Sequence, residues 1–224
     1  MDKPQTMTDL KSFMDLENET EIPIGARRAV RELLYVELTA YDLVRELLVK
    51  GKTEANILAM ADGVKKGLAI KNMMDILADH ENQKDVSISL FDALAKKVPK
   101  KIVMDMHTCE LSAAAIRTLT RAYREGRKGK ELQLCIQKGM DEEQVAELLR
   151  ILREEDGYEK AKAVADPELD CCQMAMIDRL YYFGLTPKEA QTLAKSSLNC
   201  KKIKELGAAM LSERTRHEDW DCGC

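Results

Sequence analysis

Three groups of residues in this chain of 224 could do chemistry: a band of basic side chains, seven cysteines and three histidines. Residues 96–130 hold ten Lys or Arg against three acidic residues (Asp105, Glu110, Glu125), a net of +7. The remaining chain holds 25 basic and 36 acidic residues, a net of −11, so the overall −4 conceals a strong asymmetry. Such asymmetry can mark a face for phosphates or for an acidic protein surface. Arg117, Arg121, Arg124 and Lys128 fall on the outer side of one amphipathic helical stretch, with Arg121 about 165° from the centre of its apolar face at ~100° per residue. Arg150 and Arg179 follow Arg121 at steps of 29 residues. Neighbouring helices set ~10 Å apart would turn these three into a ladder of guanidinium forks, a geometry suited to phosphates or carboxylates. The alternative is a solvated face with local ion pairs to Glu125, Glu147 or Asp178.

The cysteines are Cys109, Cys135, Cys171, Cys172, Cys200, Cys222 and Cys224. They contain no CxxC pair, so the spacing of a zinc finger or ribbon is missing and no metal or cofactor is expected. Cys171 and Cys200 share a phase and are expected a helix spacing apart. Cys222-Gly223-Cys224 could chelate a soft metal or become oxidised, but is expected to be a free tail. The odd number and the polar start, MDKPQTMTDLKSF, suggest reduced thiols in the cytoplasm. His80, His107 and His217 stand far apart, and His107 shares its phase with Ile136, Ala165 and Ala194, so it is expected near the core. No Gly-rich phosphate loop, nucleophile elbow or HExxH is present. Glu142-Glu143 and Glu154-Glu155 are helix neighbours whose carboxylates diverge. Leu185–Ala194 followed by Ile203–Met210 has the look of a helix-turn-helix, but residues 165–224 hold eight basic and ten acidic residues, which opposes tight DNA binding.

These residues are positioned by helices. Periodicity is helical almost throughout, as in 26–50, where Val30, Leu33, Leu34, Leu43, Leu47 and Leu48 fit a 3.6-residue period. From Leu111-Ser112, steps of 29 reach Met140-Asp141, Leu169-Asp170 and Leu198-Asn199, each an apolar residue before a good helix N-cap. After each cap the same face is apolar: Ile116, Val145, Met174 and Ile203; Leu119, Leu148, Ile177 and Leu206; Tyr123, Leu152, Tyr181 and Met210. A second helix per unit carries Val103, Leu132, Ala161 and Ala190, then Met106, Cys135, Val164 and Leu193. Pro99 and Pro187 suit its first turn, and Gly126, Gly157 and Gly184 suit the turn between the helices. Upstream the phase fades: Leu90, Leu94, Met74, Leu77 and Ala78 stay in register, whereas a cap at Thr53 is one residue out. A pair of short helices cannot bury its apolar faces alone, but stacked neighbours can. The expected fold is therefore all-α, stacked helical hairpins with a ~29-residue repeat, as an α-solenoid or compact helical array. The expected organisation is a flexible arm at 1–23, degenerate repeats at 24–108, regular repeats at 109–211 and a polar tail at 212–224.

The segment Val164-Ala165-Asp166-Pro167-Glu168-Leu169-Asp170-Cys171-Cys172-Gln173-Met174-Ala175-Met176-Ile177, with Gly184-Leu185 and Gln144-Val145, resembles a group of bacterial repeat proteins often associated with conjugative or phage-like elements. Those proteins repeat Ala-Asp-Pro, Gln-Met, Ile and Gly-Leu at this spacing. The resemblance covers about residues 109–211 and is best at 164–206. Gln137-Lys138-Gly139 replaces Ala-Asp-Pro in one unit, and Ala115-Ile116 replaces Gln-Met in another. It implies an architecture but no activity, and carries over no functional residues.

Composition agrees with helices: 45% hydrophobic and 33% charged residues exclude wholesale disorder, while 11 Gly and 5 Pro leave little for the turns of a β-rich fold. No apolar run is long enough to span a membrane. Twelve methionines suit gap-filling in a core with 4% aromatics. The reading is a non-enzymatic helical-repeat protein whose stripe meets an acidic protein surface. A nucleic acid on 96–130 is the second possibility, and an enzyme or metal protein built from distant residues the third.

Overall fold

The computed structural model describes residues 13–18, 22–36, 40–49, 54–78, 84–127, 129–194 and 197–221. Among these residues every regular element is helical. The chain divides into two compact units, Met1–His107 and Thr108–Cys224.

In the first unit a short 3-10 turn (Ile24–Ala26) leads into α1 (Arg27–Val36), α2 (Ala40–Val49), α3 (Glu54–Lys65), α4 (Ile70–Ala78), α5 (Lys84–Ala95) and α6 (Lys100–Thr108). Helix α3 packs against both α1 and α5, and α2 packs against α4. Val30, Leu33, Ile57, Met60, Met73, Leu90 and Phe91 fill this core with no exposure. The continuous periodicity over 26–50 thus resolves into two helices; Leu43 and Leu47 lie outside the described side chains, as do Leu77 and Ala78, and Thr53 lies outside the described residues. The arm expected over 1–23 is in part structured. Residues 13–18 are helical, Phe13, Leu16 and Ile22 are buried, and Arg31 sits 4.4 Å over the Phe13 ring. Three apolar residues in a polar segment suffice to dock it, because each buried side chain contributes about 1.5–3 kcal/mol.

The second unit comprises α7 (Ala113–Arg124), α8 (Gly129–Leu134), α9 (Glu142–Ile151), α10 (Gly157–Val164), α11 (Cys171–Tyr182), α12 (Pro187–Ala194) and α13 (Cys200–Asp221). Helices α7, α9, α11 and α13 contact one another in succession, and so do α8, α10 and α12. All four caps close: Ser112, Asp141, Asp170 and Asn199 accept from the amides of Ala115, Gln144, Gln173 and Lys202 at 3.1, 2.8, 2.7 and 3.0 Å. Each bond satisfies an amide that the first helical turn would leave unpaired. Ile116, Val145, Met174 and Ile203 are fully buried, as are Val103, Leu132, Ala161 and Ala190 on the second helices.

Gln144 and Gln173 do more than complete capping boxes. Gln144 Oε1 accepts from the Asp141 amide, while its Nε2 donates to the carbonyls of Pro167 and Leu169 at 3.0 and 2.6 Å. Gln173 Nε2 donates likewise to the Leu198 carbonyl at 2.6 Å. The Gln of the Gln-Met pair therefore ties the start of one helix to the residue before the next cap. Ala115 has no amide to do this. In the preceding loop, Asp166 accepts from the Glu168 amide, shaping the turn that carries Pro167.

Three expectations change here. Leu206 is 44% exposed, unlike its in-phase partners Leu119, Leu148 and Ile177, which have no exposure. Gly157 is not a turn glycine of the Gly126 and Gly184 kind, whose φ values are 94° and 98°. It begins α10, where a Cβ would lie 2.3 Å from the Ile151 carbonyl oxygen; Asp156 takes the left-handed conformation instead. The polar tail expected from 212 is helical as far as Asp221.

Candidate functional site

Links between neighbouring first helices of the second unit recur at separations of 25 or 28 residues. They join start to start and end to end, so these helices run parallel. In-phase side chains on parallel helices point the same way and cannot face each other. A pair that meets must therefore come from different phases.

This rule decides the arginine stripe. Arg150 does not project freely toward Arg121 and Arg179. It binds Glu147 at 2.7 Å and Glu154 at 2.6 Å on its own helix, and Asp178 of α11 at 2.5 Å. The hydrogen bonds it donates, to Glu147 first and Asp178 next, raise the guanidinium further above its already high range. Burial raises the Asp178 carboxyl, and Arg150 opposes that shift. Burial also disfavours the Glu154 carboxylate, but hydrogen bonds from Lys160 and Arg150 outweigh it and hold that group below its usual range. Arg150 is thus a tie between α9 and α11, not an open contact. Arg117, Arg121, Arg124 and Arg179 are exposed, and Lys128 lies outside the described residues. Arg121, Arg124 and Arg179 form no ion pair among the described residues. Arg153, which the stripe did not include, bonds Glu125 at 3.2 Å.

Twenty-nine residues further along, the corresponding positions hold different chemistry. Steps of 29 from Glu147, Arg150, Glu154 and Asp178 reach Met176, Arg179, Phe183 and Gly207. The three acids that neutralise Arg150 are replaced by two apolar side chains and a glycine. Gly207 lets α13 approach α11, since a Cβ there would lie 2.3 Å from Leu180 Cδ1. Between these helices lies a cavity of about 540 Å³ lined by Met176, Leu180, Phe183, Ala208 and Leu211, with Arg179 and Lys204 supplying the positive charge. Beside it Tyr182 and Phe183 are 82% and 58% exposed, with their rings edge to face at 5.5 Å. The stripe pointed to Arg179 but missed this apolar groove; the in-phase loss of Asp178 to Gly207 was its signal.

The basic excess of 96–130 is partly spent internally. Lys96 pairs with Asp92 at 2.5 Å, Lys100 with Asp75, and Arg127 donates to the Leu152 carbonyl at 2.8 Å and pairs with Glu131 at 3.4 Å. The segment also crosses the boundary between the two units.

The cysteines depart from expectation. Cys172 and Cys200 are joined, with Cα atoms 6.4 Å apart, where Cys171 and Cys200 share a phase. Cys171 instead donates to Glu143 Oε2 of α9 at 3.5 Å, and desolvation followed by this carboxylate holds its thiol above the ordinary range. Cys135 is buried, and that burial pushes its thiol up to about 12. His107 is 4% exposed, in keeping with its phase. His80, Cys222 and Cys224 lie outside the described residues, as does the side chain of His217. No described helix is long and apolar enough to cross a membrane. No protein-family model, curated protein or solved structure matches this chain.

Proposed function

We propose that this chain is a non-enzymatic helical-repeat protein of bacterial, mobile-element-associated type, built as an array of 29-residue hairpins, that docks an acidic segment of another protein. The reading is supported most by the groove between α11 and α13, where Met176, Leu180, Phe183 and Leu211 adjoin Arg179 and Lys204. An apolar trough with cations beside it favours an amphipathic helix carrying Asp or Glu next to its apolar face. The exposed rings of Tyr182 and Phe183 add large contact area at low entropic cost. Arg121 and Arg124 form a second exposed basic pair on α7, while Arg150 ties α9 to α11. The four closed caps and the buried in-phase residues support the array.

The test is capture of partners from a native bacterial lysate by the full-length chain, with nuclease treatment, compared with Arg179→Glu/Lys204→Glu and with Arg121→Glu/Arg124→Glu. Loss by the first variant of a protein with acidic amphipathic segments, retained after nuclease, is the expected result. Equal capture by wild type and both variants overturns the reading. Capture abolished by nuclease moves the function to nucleic acid.

A further inference from the structure

The cysteine cluster at the start of α11 and α13 carries chemistry that the groove does not use. A carboxylate oxygen of Asp170, Sγ of Cys172 and Sγ of Cys200 all lie within 4.8 Å of one another. Asp170 is the N-cap of α11, Cys172 its second residue, and Cys200 the first residue of α13. These positions are set by two helices packed on each other, not by a loop. We propose that Asp170, Cys172 and Cys200 form a site for a thiophilic divalent cation, zinc in type, which is available when the Cys172–Cys200 bond is reduced and closed when it is formed.

Three observations converge. Two sulfurs and one carboxylate are a zinc-like donor set and a poor one for calcium or magnesium, which take oxygen ligands. The Cα separation of 6.4 Å suits a shared cation as well as a disulfide, since zinc at about 2.3 Å from each sulfur holds them only about 3.8 Å apart. Asp170 and Cys172 are exposed and Cys200 half-buried, so a hydrated ion can reach the site and small rotamer changes can complete it. Three protein ligands leave a fourth tetrahedral position for water. Cys171 points elsewhere, toward Glu143, and is not a ligand.

The redox step balances with an external thiol: two equivalents of R–SH give R–S–S–R and two protein thiols. Cation binding then releases the two thiol protons, while Asp170 binds as the carboxylate. The crosslink and the cation exclude each other because both use the same two sulfurs.

The experiment uses the full chain with Cys222→Ser/Cys224→Ser, reduced with dithiothreitol, freed of it without oxygen, and titrated with Co²⁺. The expected result is one equivalent of Co²⁺ per chain, with sulfur-to-cobalt charge-transfer absorbance of two thiolates, displaced by Zn²⁺. Cys172→Ser and Cys200→Ser each weaken binding at least about 100-fold, above the range for loss of a mere outer partner. Asp170→Asn keeps a capping side chain and weakens binding about tenfold or more. Cys171→Ser binds as before, and the oxidised chain takes up no cobalt. Circular dichroism checks that each variant keeps its helices. Failure of the reduced chain to take up cobalt, or uptake that survives Cys172→Ser, overturns the proposal. So does uptake that the oxidised chain shares.

Discussion

At the scale of single residues, Gln144 shows how one side chain serves two elements. Its side-chain oxygen accepts from the amide of Asp141, the N-cap of α9, and its nitrogen donates to the Leu169 carbonyl before α11, at 2.8 and 2.6 Å. Gln144→Ala leaves a buried carbonyl without its donor, so it is expected to lower stability by about 1–3 kcal/mol in urea unfolding, whereas the exposed Gln191→Ala should change it by less than about 0.5 kcal/mol. Cys135 offers a test in pH. Burial, reinforced by Glu131, raises its thiol from 9.0 to about 12 in the folded chain. The unfolded chain loses this proton first, so the contribution is intact below pH 9 and disappears as pH rises toward about 12. The urea midpoint of the wild type should therefore fall more steeply above pH 9 than that of Cys135→Ala. Parallel slopes would show that Cys135 ionises equally in both states.

At the scale of elements, the turns separate two uses of glycine. Gly126, at φ 94°, lets the Arg127 amide reach the Ala122 carbonyl at 3.1 Å and so ends α7. A Cβ at Gly126 meets nothing within 4 Å, so Gly126→Ala should cost only the left-handed strain of about 1–2 kcal/mol. At Gly157 the obstacle is the backbone carbonyl of Ile151, 2.3 Å away, which cannot rotate aside. Gly157→Ala should lower the thermal midpoint more than Gly126→Ala does, because the start of α10 must move away from the end of α9. A smaller effect at Gly157 would mean that this approach relaxes freely.

At the scale of the whole molecule, the two compact units invite separate treatment, and the second has a definite gradient. Helices α9 and α11 have a first-helix neighbour on each side, whereas α13 contacts only α11 within its row. Where stability is a sum of neighbour interfaces, interior members are held longest. Hydrogen exchange of the full chain should show the slowest amides in α9 and α11 and markedly faster ones in α13. Uniform protection from α9 to α13 would argue for one indivisible core. Faster opening of α13 would also place the groove beside Arg179 and the cysteine pair on the most adjustable helix of this unit.

The sequence by itself determined the helices and the inward face of most of them. The caps at Ser112, Asp141, Asp170 and Asn199 were legible because an N-cap is a local bond between residues three apart, and the buried positions because apolar periodicity records which face meets neighbours. It also marked Arg179 as an outward cation. What it could not determine was which side chains meet across helices. Phase alone aligned Arg121, Arg150 and Arg179 and set Cys171 a helix spacing from Cys200, but it gave no sign that Cys172 would meet Cys200, because in-phase residues on parallel helices point alike. Only the tertiary structure placed Arg150 on Asp178, Cys172 on Cys200 and an apolar groove where Gly207 stands in place of an acid. Such contacts depend on the relative rotation of packed helices, and a rotation of one residue, about 100°, is enough to replace every partner.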